Sequence, residues 1–323
     1  MKEERDIAGE VLTLVALISC ILLCGLIAFI TDSQLSLSRI NQGSWFMSTA
    51  LSFGEKMKGA VDAIPFESER TRLIIKALLI GEKSGIPDDV TYAFRYSGAS
   101  HILALSGLHL GIIYAIVRFV TRVFGNTRTA KILRSVTIIF ICGFYTLATG
   151  AGASITRAMI FIIIGECARL SGRPAGLKRV MMAALLIHLS LSPSSIMDVG
   201  FQLSYAAIAG IAFIFPWLQG FWPGNRHEDA LLAKCARWIW DSAAMSISCQ
   251  ITTGPLAYFY FGTFPIQFIL TNMIALPLTG IIIPMALLTL IFCQIGLEFR
   301  LLTNCTEWLV TALCESLDLL STM

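Results

Sequence analysis

Long apolar runs separated by short polar or basic connections set the pattern of the chain. The first, Val11 to Ile30, has about the twenty residues needed to cross the hydrocarbon core of a bilayer. Further runs cover Ile132 to Ala148, Ile155 to Leu170, Val180 to Leu191, Phe201 to Leu218, Trp238 to Phe261 and Phe264 to Ile295, with Pro277 and Pro284 interrupting the last. Together with the segment from Ser97 to Phe124, they predict an all-α, polytopic helical membrane protein with about seven to nine membrane segments. Several runs are short for a full crossing, so some are expected to be broken or re-entrant.

The segment SGASHILALSGLHLGIIYAIVRFVTRVF, Ser97 to Phe124, departs from a plain membrane anchor. It carries His101 and His109, and ionisable groups at bilayer depth face a protein interior or a wet cavity. Ser106 and Gly107 weaken the helix in mid-span, and such a break survives only where protein or water satisfies the freed backbone groups. His101, Ser106 and His109 are therefore expected to face an interior.

The amino-terminal stretch MKEERD precedes the first run. Leu17-Ile18-Ser19-Cys20 has the form of a lipoprotein cleavage box, but the run continues past it to Ile30 and Glu10 sits ahead of it, so an uncleaved anchor is expected. Residues 31 to 72 are mixed and polar. Leu73 to Ile80 predicts an amphipathic helix with Lys76 on its polar side; a turn over Gly81 to Pro87 follows, and Asp88 or Asp89 is expected to cap the next helix.

Composition agrees with this pattern. Hydrophobic residues make up 56% of the 323 and charged residues 14%, with a mean hydropathy of +0.75, which excludes a soluble globular domain. A formal net charge of +3 is too small for a surface that coats nucleic acid, so contact with a polyanion must come from local groups of Lys and Arg. The nine cysteines form no CxxC pair and define neither a disulfide framework nor a metal site. Basic residues cluster at the end of the central segment and in the connection that follows it (Arg118, Arg122, Arg128, Lys131, Arg134), after Leu170 (Arg173, Lys178, Arg179) and in Phe221 to Arg237 (Arg226, Lys234, Arg237). The bias places these in the cytoplasm, together with the amino terminus, and residues 31 to 98 outside.

Three constellations carry candidate chemistry. Gly150-Ala151-Gly152-Ala153-Ser154-Ile155-Thr156-Arg157 is a small-residue turn with Ser154 as candidate N-cap and Arg157 in the first turn. It fits an anion site at a helix start, or else a packing turn with Arg157 snorkelling to the interface. Ser242, Ser246, Gln250 and Thr253, with Cys249 beside them, share one helical face, which either lines a polar path or bonds neighbouring helices. Gln202, Ser204, Thr271 and Asn272 are similar in character, and His188 reads as a satisfied interior histidine. Ser106 and His109 are three apart, but there is no acid to orient the histidine and no G-x-S-x-G, and His101 and His109 lack metal-pair spacing. No catalytic residue, metal site, cofactor or ATP-binding loop is expected, and the chain is not expected to be an enzyme.

The run ALLIGEKSGIPDDVTYAFRYSGASHILALSGLHLGII (Ala77 to Ile113) resembles the signature of ComEC-type competence proteins. The blocks TGAGASITRAMIF (Thr149 to Phe161), SPSSIMDVGFQLSYAAIAGI (Ser192 to Ile211) and ITTGPLAYFYFGTFPIQFILTNMIALPL (Ile251 to Leu278) continue the resemblance in order. It covers roughly residues 73 to 295, and four ordered blocks are more specific than any single motif. That family implies an inner-membrane channel passing single-stranded DNA into the cytoplasm during natural transformation. The path candidates are then His101, Ser106, His109, Ser154, Arg157, Gln202, Ser246, Gln250 and Asn272, with Arg157 at the outer mouth.

On this resemblance the chain divides into an anchor (1–31), a polar external segment (32–72), a competence-type channel domain (73–296) and an amphipathic carboxyl-terminal segment (297–323). Full-length relatives usually add an OB-like external domain and a metallo-β-lactamase-like domain. Residues 31 to 72 are short for the former, and no H-x-H-x-D-H motif is present for the latter. The expected partners are single-stranded DNA, the lipid bilayer and separately encoded DNA-receptor, nuclease and cytoplasmic motor proteins. A structural membrane subunit and a small-solute transporter are the alternatives.

Overall fold

The computed structural model describes residues 45–103, 105–172, 176–222, 231–262, 267–297 and 299–322. The expected anchor over 1–31 lies outside the described residues, as do Arg173 and Arg226 of the basic connections. Among the described residues every regular element is helical.

Three helices come first: α1 (Trp45–Asp62), α2 (Glu69–Ile80) and α3 (Asp88–Tyr96). Ser68 caps α2, its hydroxyl accepting the Thr71 N–H at 3.4 Å, and Gly81 ends it at φ +81°, a left-handed conformation that glycine adopts without a Cβ penalty. The apolar face expected from Leu73 onward buries Ile74, Ile75, Leu78 and Leu79, while Lys76 pairs with Asp62 at 2.6 Å. Neither Asp88 nor Asp89 caps α3. The helix begins at Asp88 directly after Pro87, so both carboxylates sit in the first turn, where the positive end of the helix dipole favours them.

The central segment divides into a short α4 (Ser100–Leu103) and α5 (Gly107–Val120), which tightens into a 3₁₀ turn at Thr121–Phe124. Then follow α6 (Arg128–Ala148), α7 (Ala153–Leu170), α8 (Leu177–Leu191), α9 (Val199–Ala209), a π-helical turn (Gly210–Ile214), α10 (Phe215–Gln219), α11 (Leu231–Phe261), α12 (Phe268–Gln294) and α13 (Arg300–Ser321). Among the described residues four segments are long and apolar enough to cross a membrane: Gly107–Phe124, Arg128–Ala148, Val199–Gln219 and Phe268–Gln294. α7 carries Arg157, Glu166 and Arg169, and the 15 residues of α8 reach only about 22 Å, less than the hydrocarbon thickness. The two prolines do not interrupt α12, which continues as one helix through Pro277 and Pro284. Its neighbours bury Ala275, Thr279, Ile282, Ile283 and Ala286 around them, the setting in which membrane helices tolerate proline.

Three apolar groups hold the helices together. Ile74, Leu78, Phe94, Ile282 and Leu313 join α2, α3, α12 and α13. Leu110, Ile138, Cys142 and Ile155 join α5, α6 and α7, with Leu287 of α12 packed against them. Met181, Phe201 and Tyr205 join α8 to α9.

Candidate functional site

The starts of α5, α7, α9 and α12 converge on one side of the molecule. Gly107 faces Ala158, so close that a Cβ on the glycine would lie 3.3 Å from the alanine Cβ. Arg157 of α7 donates from Nη2 to the Gly200 carbonyl at the start of α9 at 3.0 Å. Thr271 of α12 donates to the Ser97 carbonyl at 2.7 Å, just ahead of α4. Alternation of direction along the chain produces this: α6, α8 and α11 run back between them. Each helix start presents unpaired N–H groups and the positive end of its dipole.

Most of the path candidates fall at these starts. Ser106 is the N-cap of α5: its Oγ accepts the Leu108 N–H at 3.3 Å, and His109 Nδ1 accepts the Ser106 N–H at 3.1 Å. The break is therefore a new helix start closed by a capping box, with histidine in the place of the usual Glu or Gln. Because Nδ1 accepts, the ring proton of neutral His109 sits on Nε2, which is buried and without a hydrogen-bond partner. His109 is fully buried, as the sequence led one to expect, but His101 is exposed, its Nδ1 donating to the Gly98 carbonyl at 3.1 Å and its ring 5.8 Å from Phe268. In the single turn of α4 Ile102 and Leu103 take the buried side, which leaves His101 on the outer one. Asn272 is buried beside Thr271, its Oδ1 unpartnered.

At the second pair of starts, Ser154 does not cap α7. Gly152 holds that position, because the turn through Gly150 and Ala151, both at positive φ, ends before it and leaves Ser154 inside the helix. Arg157 does not snorkel: the residue is 4% exposed and its described hydrogen bond is the one to Gly200. Gln202 of α9 donates to the Ile196 carbonyl at 2.8 Å and accepts from the Tyr260 hydroxyl of α11 at 2.9 Å.

Ser246 and Gln250 are not brought to these starts. Gln250 lies ten residues before Tyr260, about 15 Å along α11, with Ser246 one turn further on. Ser246 is buried and Gln250 half-buried. Beside them Ser248 and Thr252, outside the expected stripe, form a close seam with the π-helical turn that continues α9. Gly210 sits against the Ser248 carbonyl and Thr252 Oγ1 with no room for a Cβ.

The opposite ends of α5, α6 and α7 hold a group that the sequence reading missed. Glu166, its side chain 1% exposed, accepts from Ser135 at 2.7 Å, Tyr114 at 2.9 Å and Arg118 at 3.1 Å, and pairs with Arg169. Arg134 caps the same end, donating to the carbonyls of Thr121 at 3.2 Å and Gly125 at 2.7 Å. The available signal was Glu166 itself, an acid inside an apolar run where ionisable residues are costly. The starts of α5, α7, α9 and α12 thus lie at one end, and Arg118, Arg134 and Arg169 gather around Glu166 and the connection after α5 at the other.

These features define a helical membrane protein with polar groups collected between its helices. The chain belongs to the Competence protein family, whose match covers residues 78–323. It is 24% identical to ComE operon protein 3 of Bacillus subtilis over 230 residues, 70% of this chain and 27% of that protein. It is 23% identical to Competence protein ComA of Neisseria gonorrhoeae over 221 residues, 67% and 30% of the two chains. It is 21% identical to Recombination protein 2 of Haemophilus influenzae over 287 residues, 81% and 35% of the two chains. The chain thus spans about a third or less of these relatives. No solved structure matches it.

Proposed function

We propose that this chain is a channel domain of the bacterial inner membrane that passes single-stranded DNA into the cytoplasm during transformation. The observation that carries this reading is the convergence of the starts of α5, α7, α9 and α12, four positive dipole ends with Arg157, His109 and Asn272 among them, on one side of the helix assembly. Helix starts pointing into a membrane protein are suited to anionic groups, and a DNA strand offers one phosphate per nucleotide. The arginine-rich end of α5, α6 and α7 then faces the cytoplasm with the amino terminus, and α7, α8 and α11 join the four apolar spans in the bilayer.

In this role the chain catalyses no reaction. Separately encoded receptor, nuclease and motor proteins deliver, trim and pull the strand, while Ser246 and Gln250 line a deeper part of the route. The names of the relatives, which include competence and recombination proteins, support the same reading. Uptake of fluorescently labelled DNA by a strain lacking the chain tests it. Loss of internalised DNA, restored by the gene in trans, is the expected result; undiminished uptake would leave a structural subunit or a small-solute transporter in its place.

A further inference from the structure

Arg157 brings a charged guanidinium into a seam that does not satisfy it. A guanidinium has five N–H donors, and here one bond is made, from Nη2 to the Gly200 carbonyl, while Nε and Nη1 are buried and unpartnered. Two further unpartnered buried atoms lie on the helices packed against α7: the Tyr205 hydroxyl on α9, whose ring is 6.2 Å from that of Phe161 one turn beyond Arg157, and His188 Nδ1 on α8. Arg157 is 4% and Tyr205 9% exposed, so water at the surface does not complete them. The His188 ring packs edge-on to Phe201 at 5.0 Å and lies 6.2 Å from the Tyr205 ring, which fixes its position in the seam. His188 is therefore not the satisfied interior histidine that the sequence suggested.

The carboxylate in reach is Asp198, on the far side of Gly200. Its Oδ1 accepts the Gly200 N–H at 3.1 Å as the N-cap of α9, and among the described residues Arg157 bonds the Gly200 carbonyl rather than this carboxylate. Gly200 thus stands between the acid and the base, its N–H on one and its carbonyl on the other. Asp198 and Gly200 are exposed, and Gly200 is the surface residue bonded directly to the buried Arg157.

We infer that Arg157, Tyr205 and His188 form a binding site for a single phosphate group, entered past Gly200. A phosphate oxygen at Nη1 supplies an acceptor that the guanidinium lacks, and its remaining oxygens suit the Tyr205 hydroxyl and the His188 ring. The phosphate belongs either to a nucleic-acid backbone or to a lipid headgroup. The first source rests on the channel reading above; the site itself does not.

The test uses the full chain purified in dodecyl maltoside, a phosphate-free detergent, with a fluorescent 20-nucleotide oligothymidylate followed by anisotropy and phosphatidylglycerol followed by native mass spectrometry. Tyr205→Phe removes one hydroxyl without changing shape, and Arg157→Lys keeps the charge but loses the fork. Each should weaken the probe that occupies the site by about tenfold or more. Asp198→Asn keeps the cap and removes a like charge, and should tighten the same probe. Weakened oligonucleotide binding identifies the strand as the source, and weakened lipid binding the headgroup. If Tyr205→Phe and Arg157→Lys remain folded by thermal melting and neither probe changes, the inference is overturned. Binding in detergent does not depend on transport, so a deletion strain with normal DNA uptake would remove the channel reading and leave this result standing.

Discussion

Ser135 on α6 donates its hydroxyl to Glu166 on α7 at 2.7 Å, and the same carboxylate draws in Tyr114 and Arg118 from α5. Three helices therefore meet at one buried negative charge. Removing one partner of a buried ion pair leaves the others uncompensated.

Glu166→Gln should accordingly lower stability by roughly 2 kcal/mol, below the full cost of a buried pair because Arg118 and Arg169 are partly exposed and can rehydrate. Ser135→Ala should cost about 1 kcal/mol, and the double variant should lose less than the two singles combined. Thermal unfolding of the purified protein reads all three. Strict additivity would mean that the hydroxyl and the carboxylate do not act as a unit.

Outside the apolar spans, Lys58 of α1 pairs with Glu82 at 2.8 Å, and Ser84 donates its N–H to the same carboxylate at 3.1 Å. The Lys58 bond first, and Ser84 second, lower the Glu82 carboxyl to about 2 from its ordinary 4.5. A folded-state value below the unfolded one means that ionised Glu82 supports the fold above pH 4.5 and loses that support as pH falls toward 2. Lys58 is shifted the other way, raised by Glu82 and then Glu55, so its share is lost only as pH rises beyond 10.5. Glu82→Gln should flatten the acid limb of a melting-temperature profile between these carboxyl values and leave neutral pH nearly unchanged. An unaltered acid limb would show that the pair does not couple to folding.

The sequence made the helical class and most of the apolar segments legible, because the spans are long and each is bounded by glycines, prolines or basic residues. His109 was legible as an interior group for the same reason: few side chains are so out of place in an apolar run. What escaped was set by partners distant in sequence. Glu166 finds Ser135 and Arg118 through folding alone, and nothing in the chain order signals that pairing. Ser154 and Asp88 sit one or two residues inside the starts they were expected to cap, because positive φ at Ala151 and the fixed φ of Pro87 decide where each helix begins. The sequence leaves the polar face of α11 as either a path or a packing face, and the close approach at Gly210 falls on neither of its path candidates but on Ser248 and Thr252, since the small Gly210 opposite selects which face approaches.

His109 offers a separation of packing from transport. Gln is at home in the capping-box position, so His109→Gln should keep the bond to the Ser106 N–H and leave protein abundance unchanged. Ser106→Ala removes the other half of the box and should cost about 1 kcal/mol. If the buried Nε2 serves the DNA route, labelled-DNA uptake falls in His109→Gln at normal abundance. Normal uptake at normal abundance would assign His109 to the cap alone.

The last prediction concerns the seam between α9 and α11. Gly210 opens the π-helical turn, and a Cβ there would run into the Ser248 carbonyl and lie 2.7 Å from Thr252 Oγ1. Backbone cannot yield as a flexible side chain does, so Gly210→Ala must push the two helices apart and should cost about 3 kcal/mol. The control is Gly111 in α5, where an added Cβ meets nothing within 4 Å. Gly111→Ala should be neutral or stabilise by up to about 1 kcal/mol, because alanine is the better helix former. The same separation would disturb the setting of α11, which carries the path candidates Ser246 and Gln250, and so should reduce DNA uptake beyond what the lower abundance accounts for. Melting temperature and uptake per folded molecule, measured on both variants, decide the matter. A Gly210→Ala protein that melts with the wild type would show that the two helices do not approach this closely at Ser248 and Thr252.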